Sequence, residues 1–86
     1  MALHVETGVD AGKVIEVAGG PAVVGRAEGA DIRLADPTVS QFHLELDAID
    51  DVVFVSDLGS SNGTFAGDVS LDRGRVPDGA KLRLGD

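Results

Sequence analysis

Glycines, together with Asp and Pro, interrupt this chain roughly every eight to twelve residues, a rhythm that confines the backbone to short extended segments joined by turns. Between the interruptions apolar residues fall two apart: Leu3 and Val5, Ile32 and Leu34, Leu44 and Leu46, Leu82 and Leu84. That spacing gives each segment one face for a core and one for water, and the i, i+3, i+4 spacing of an amphipathic helix is missing. The predicted strands are 2–7, 13–17, 22–25, 31–34, 43–49, 52–57, 63–67 and 80–85. The runs Ala-Val-Val-Gly (22–25) and Val-Val-Phe-Val (52–55) are continuously apolar and suit central strands. Gly-Val-Asp-Ala-Gly (8–12), Ala-Gly-Gly-Pro (18–21), Asp-Ala-Ile-Asp-Asp (47–51) and Val-Pro-Asp-Gly (76–79) read as turns. Two facing sheets would bury the apolar faces, so the expected fold is all-β, an antiparallel β-sandwich.

With 86 residues the chain is expected to form one domain, 1–86, excised from a longer protein, and such a domain buries only about 60 to 65% of its unfolded surface. It has no Cys, Trp or Tyr, so disulfides and a Cys-based zinc site are excluded and the core must be aliphatic. Seven Lys and Arg against fifteen Asp and Glu give a formal charge of -8, which repels polyanions at long range and argues against binding nucleic acid or acidic lipid directly. Any anion must be captured locally. The acidic residues are scattered and read as solvated surface. The N-terminal stretch lacks the basic and apolar regions of a signal peptide, and no apolar run approaches the roughly 18 residues of a membrane span, so a soluble cytoplasmic domain without membrane association is expected.

Polar residues gather where strands give way to loops, at 23–32, 36–46 and 55–65. Arg26 follows Gly25 at a strand end, and its guanidinium fork matches either phosphate oxygens or a neighbouring carboxylate such as Glu28 or Asp31. Ser40 and His43 lie between Pro37, which extends the chain before it, and the strand that begins at position 43. In Asp-Leu-Gly-Ser-Ser-Asn-Gly-Thr-Phe (57–65), Gly59 and Asn62-Gly63 serve a tight turn, but turn formation leaves the hydroxyls of Ser60 and Ser61 unexplained.

Taken together, Gly25-Arg26, the Ser40-x-x-His43 pair and the loop Leu-Gly-Ser-Ser-Asn-Gly-Thr-Phe (58–65) resemble the forkhead-associated (FHA) domain, a β-sandwich that binds phosphothreonine peptides. The resemblance runs from about Leu3 to Asp86. It implies that Arg26 contacts phosphate, Ser40 and Ser61 donate hydroxyls, Gln41 adds an amide or backbone donor, and Asn62 brackets the peptide backbone. Gly25, His43 and Gly63 would support the loops. Many family members carry Arg where this chain has Gln41, which donates hydrogen bonds without charge and implies weaker phosphate capture. Phe42 is expected to pack rather than contact ligand, the alternative being an exposed ring that touches the peptide. The partner implied is a threonine-phosphorylated protein, bound with micromolar, salt-sensitive affinity by a monomer that needs no cofactor and no metal. The loops 34–46 and 55–65 further resemble FHA modules of bacterial enhancer-binding transcriptional regulators, implying coupling of Ser/Thr kinase activity to transcription. A chain that stops just after the strand 80–85 is expected to lack a closing strand and to leave the edge of the first strand unpaired.

Other chemistry has less support. A serine hydrolase built from Ser40 or Ser61 with His43 and Asp57 lacks the nucleophile elbow, and His4 and His43 show no metal-ligand spacing. The glycines near position 10 lack the Gly-Lys-Ser/Thr ending of a nucleotide loop, and Asn62-Gly63-Thr64 is a glycosylation triplet without a secretory signal. The chain is therefore not expected to be an enzyme. The competing reading is a phosphate-independent scaffold that uses the same sandwich.

Overall fold

The computed structural model describes residues 1–85. Asp86, with which the sequence reading closes the domain, lies outside the described residues. The elements are β1 (Ala2–Val5), β2 (Val14–Glu16), β3 (Ala22–Gly25), β4 (Ile32–Arg33), β5 (Leu44–Ile49), β6 (Val52–Asp57), β7 (Thr64–Ala66), β8 (Val69–Ser70), β9 (Arg73–Pro77) and β10 (Lys81–Leu84). They form two five-stranded sheets, ordered β2-β1-β10-β7-β8 and β4-β3-β5-β6-β9.

The alternating residues fill the space between the sheets. Leu3, Val5 and Ile15 come from one sheet with Leu82 and Leu84, and Val24, Leu44, Leu46, Val53 and Val55 come from the other. All are at most 4% exposed, so the aliphatic core expected from composition is what excludes water here. The β5–β6 hairpin is the longest pairing, from Leu44 opposite Asp57 to Ile49 opposite Val52, and Asp50 turns it with φ of 56°.

Most pairings are antiparallel, but β1 runs parallel to β10 and β3 parallel to β4. The first of these corrects the expectation of an unpaired edge on the first strand. β1 is bonded to β2 on one side, and on the other His4 N donates to Ala80 O and Glu6 N to Leu82 O. The last strand itself fills that edge, because the turn after β9 carries the chain across to the first sheet with Leu82 and Leu84 facing the same core as Leu3 and Val5.

Two strands were not predicted. β9, Arg-Gly-Arg-Val-Pro, pairs with β6 along its whole length, yet only Val76 faces the core. Charge on the solvent face, a glycine and a terminal proline hide such an edge strand from a pattern search, and proline is tolerated there because an edge strand needs fewer ladder donors. Val76-Pro77, read as part of a turn, therefore belongs to β9. β8 has only two residues, both exposed.

The scattered acidic residues are also not all solvated surface. Backbone N–H groups of Val23, Gly20 and Ala2 donate to the carboxylates of Asp31, Asp47 and Asp78, at 2.8, 3.1 and 2.8 Å. Asp36 is only 5% exposed. Aspartate closes the turns of this sandwich by accepting donors that no ladder uses.

Candidate functional site

One end of the sandwich gathers the loops that follow β1, β3, β4 and β6. The first constraint is the close approach of Gly25 to the chain at Gln41. Arg26 N donates to Ser40 O at 3.0 Å and Ala27 N to Gln41 O at 3.1 Å, and a Cβ at position 25 would overlap the Gln41 carbonyl. Only glycine lets the two loops bond this tightly. The Arg26 side chain is half-buried, and its Nε donates to Val39 O at 3.1 Å, which fixes the guanidinium beside Ser40. Its terminal NH2 groups make no hydrogen bond among the described residues.

His43 is fully buried and binds backbone with both ring nitrogens. Ser40 N donates to Nδ1 at 3.1 Å, so Nδ1 is the acceptor and Nε2 donates to Gly63 O at 2.8 Å. The ring thereby ties the loop after β4 to the loop after β6. Neither nitrogen is directed at a serine hydroxyl, so the ring holds loops and does not activate a nucleophile. Gly63 has φ of 86°, a left-handed conformation that glycine adopts without strain and that lets its carbonyl meet His43.

Asp57 organises the loop after β6. Its carboxylate accepts from the Ser60 hydroxyl at 2.6 Å, Ser60 N at 2.9 Å, Gly59 N at 3.0 Å and the buried Thr64 hydroxyl at 2.8 Å. It also lies 3.9 Å from His43 Nε2. Partial burial pushes this carboxyl upward, but the Ser60 and Thr64 donors with the neighbouring His43 outweigh it and hold it below the ordinary carboxylate range. Ser60 Oγ in turn accepts from Gly63 N at 3.0 Å, so Ser60 shapes the loop from within.

Ser61 and Asn62 face outward, and both bridge the loops. Ser61 N donates to Ser40 Oγ at 3.0 Å, which leaves the Ser40 hydroxyl proton available for an outside acceptor. Asn62 Nδ2 donates to Thr38 O at 2.9 Å, so one amide hydrogen is already engaged within the protein. Behind them Asp36 accepts from Thr38 N at 2.9 Å, the Thr38 hydroxyl at 2.7 Å and Val9 N at 3.2 Å. The Thr38 N–H and then its hydroxyl lower the Asp36 pKa, helped by Val9 and opposed by desolvation. Asp10 accepts from Ala35 N at 3.0 Å and Asp36 N at 2.9 Å, which pins the loop after β1 to the same end.

Arg26, Ser40 and Ser61 are thus brought to one end of the sandwich on three loops, those after β3, β4 and β6, with Asn62 next to Ser61. Gln41 is exposed, and its backbone carbonyl rather than its side chain holds structure. Phe42, expected to pack, is 51% exposed and rests near Gly29, because the chain turns outward to bring His43 into the core. Sequence reasoning missed the supporting carboxylates Asp10 and Asp36 and the roles of Asp57, Ser60 and Thr64. The spacings Asp36-x-Thr38 and Asp57-x-x-Ser60 are the signal that could have found two of them, since a carboxylate reaches donors two or three residues ahead.

Comparison with known proteins gives a consistent family. The family model described as the FHA domain matches residues 22–85. FhaA of Mycobacterium tuberculosis is 34% identical over 74 residues, covering 86% of this chain and 14% of FhaA. FhaB of Mycolicibacterium smegmatis is 35% identical over 83 residues, covering 96% of this chain and 50% of FhaB. The chain spans half or less of these relatives. Among solved structures, the FhaA FHA domain complexed with the intracellular domain of Rv3910 aligns with a TM-score of 0.77 at 34% identity, covering 86% of this chain and 81% of that one. An FHA structure from a study of phosphothreonine-dependent FHA domain interactions aligns with a TM-score of 0.79 at 32% identity, covering 95% and 83%. The narrower likeness to modules of enhancer-binding regulators has no counterpart among these relatives.

Proposed function

This chain belongs to the FHA domain family, and from that premise we propose that it is a phosphothreonine-dependent protein-interaction module whose ligand crosses the loop end in extended form. The observation that carries the reading is the bridge from Ser61 N to Ser40 Oγ beside the fixed guanidinium of Arg26. It sets donors around a space open to solvent before any ligand arrives, and such preorganisation reduces the cost of capture.

In this reading the Arg26 terminal NH2 groups meet the phosphate oxygens, charge to charge, and the Ser40 hydroxyl donates its proton to a third. Ser61 adds a hydroxyl, and Asn62 uses its remaining N–H and its carbonyl on the peptide main chain. Gln41 contributes an amide donor without charge. Gly25, His43 and Gly63 act through the loops they position. No covalent step is involved, so this is a binding module rather than an enzyme. Ser/Thr kinases supply the ligand, because they make phosphothreonine. Coupling of that signal to transcription rests on the two loop motifs alone and is the narrower part of the reading.

The test is calorimetric titration with a phosphothreonine peptide and its unphosphorylated twin. We expect binding of the phosphorylated form only, weakened about 10- to 100-fold by Arg26→Ala, as loss of charge-assisted hydrogen bonds worth about 1.5–3 kcal/mol requires. Equal binding of both forms, insensitive to Arg26→Ala, would establish the phosphate-independent scaffold instead.

A further inference from the structure

Beside the proposed phosphate site lies an open groove of about 510 Å³, lined by Asp10, Lys13, Arg26, Arg33, Leu34 and Ala35. Three of the seven Lys and Arg of a chain with formal charge -8 line this one groove, against a single carboxylate. They are linked in a row. Arg33 Nε donates to Arg26 O at 3.0 Å, and Lys13 Nζ donates to Arg33 O at 3.1 Å, so the cations run from the phosphate site outward to the loop after β1. Asp10 is engaged with Ala35 N and Asp36 N, which places its carboxylate at the wall and secures the loop bearing Lys13.

We propose that this groove is a second anion subsite of the same ligand, taking an acidic group, carboxylate or phosphate, carried a few residues from the phosphothreonine. The proposal rests on the phosphothreonine reading above. Arg26 belongs to both sites, so a ligand anchored on it has its phosphate at the mouth of the groove, and the flank that follows the groove passes Arg33 and Lys13. The groove is far larger than one acidic group and accommodates a short run of side chains, with the buried Leu34 beneath them. The acidic body of the domain repels acidic peptides at a distance, but within a Debye length of about 8 Å the local balance of positive charge decides. Selectivity therefore arises from position: an acidic residue is accepted over the groove and opposed elsewhere.

The experiment uses a phosphothreonine peptide with alanine flanks, its unphosphorylated twin, and a scan that places Glu, phosphoserine or Lys at each flanking position in turn. The alanine-flanked pair reads the first site alone. With the native chain, Glu or phosphoserine should strengthen binding about threefold to fivefold at adjacent positions on one flank, the size expected of partly exposed ion pairs. Lys there should weaken it. Lys13→Gln should abolish that gain while leaving the affinity of the alanine-flanked phosphopeptide within about twofold of native. Arg33→Lys, which keeps the charge, should retain it. Because phosphoserine carries about -1.5 to -2 charge against -1 for Glu, a gain from phosphoserine with none from Glu identifies a second phosphate as the occupant, and equal gains identify a carboxylate. The proposal is overturned if no flanking position responds to acid, or if the gain survives Lys13→Gln unchanged. If the alanine-flanked pair shows no phosphate dependence, the phosphothreonine reading is what has failed, and the subsite falls with it.

Discussion

In the body of the sandwich the fully buried side chains are aliphatic, Leu3, Leu44, Leu46, Val53 and Leu82 among them, whereas at the loop end the buried set includes Asp36, His43 and Thr64. A buried polar group costs free energy unless it is hydrogen-bonded. Each of these three is: Asp36 accepts from Thr38 and Val9, His43 joins Ser40 N to Gly63 O, and the Thr64 hydroxyl donates to Asp57. The body gains stability by excluding water from surfaces that need no particular orientation. The loop end uses directional bonds to hold backbone in a shape that has no other reason to persist. That difference explains how a small domain holds its candidate site in one shape: the donors that face outward are braced by donors and acceptors that face inward.

Substitutions at each end should separate stability from binding. The largest effect is expected from Leu46→Ala, which removes packing in the aliphatic core and should cost about 2–5 kcal/mol in chemical denaturation. Phosphopeptide affinity of the fraction that remains folded should be close to native. A large loss of intrinsic affinity would break the separation.

His43→Ala lies on the boundary and should affect both. It leaves Ser40 N without its acceptor and Gly63 O with only the longer bond from Gly85 N at 3.3 Å, so stability should fall by about 2–3 kcal/mol. Affinity should fall with it, because Ser40 and Ser61 no longer share a fixed frame. A variant that loses stability alone would show that the two loops stay together without the ring.

Acid tests the carboxylates of the loop end. Asp36 and Asp57 are both held below the ordinary carboxylate range by their donors. Folded-state values below the unfolded ones mean that their contribution is complete above the unfolded pKa and is lost as pH falls through the folded values. Stability should therefore decline as pH drops below about 4, followed by denaturation midpoints. Asp57→Asn should be less stable than native at neutral pH and should flatten part of the decline. An acid profile identical to native would remove Asp57 from the loop's support.

The smallest effect is expected from Asn62→Ala. Loss of the bond to Thr38 O and of the proposed contact with the ligand main chain should weaken phosphopeptide binding about threefold to tenfold. The thermal midpoint should barely move, since Asn62 is exposed.

The parts of the fold legible in the sequence are those in which chemistry alternates along the chain. Leu44 and Leu46, or Leu82 and Leu84, mark an inward face whatever lies opposite. β9 was invisible because Val76 alone carries the inward signal, and the ladder to β6 supplies the rest. At the candidate site, the motifs that carry Arg26, Ser40, Ser61 and Asn62 are short and local, and the structure brings them to one end of the sandwich. Asp10 and Asp36 were not legible, because a carboxylate that accepts backbone N–H groups from a distant loop looks the same in sequence as one in water. Phe42 misled for a related reason, as its neighbour His43 took the buried position.

By itself the sequence determined an all-β sandwich with an aliphatic core, the loops that carry the polar motifs and the family to which they belong. Periodicity and short motifs are local properties, so the chain carries them without folding. The tertiary structure decided which edges are paired, with β10 lying parallel to β1, and which carboxylates brace the loops. It also decided that Lys13, Arg26 and Arg33, separated along the chain, line one groove. Pairing partners, burial and local charge depend on what is opposite in space, and only folding settles that.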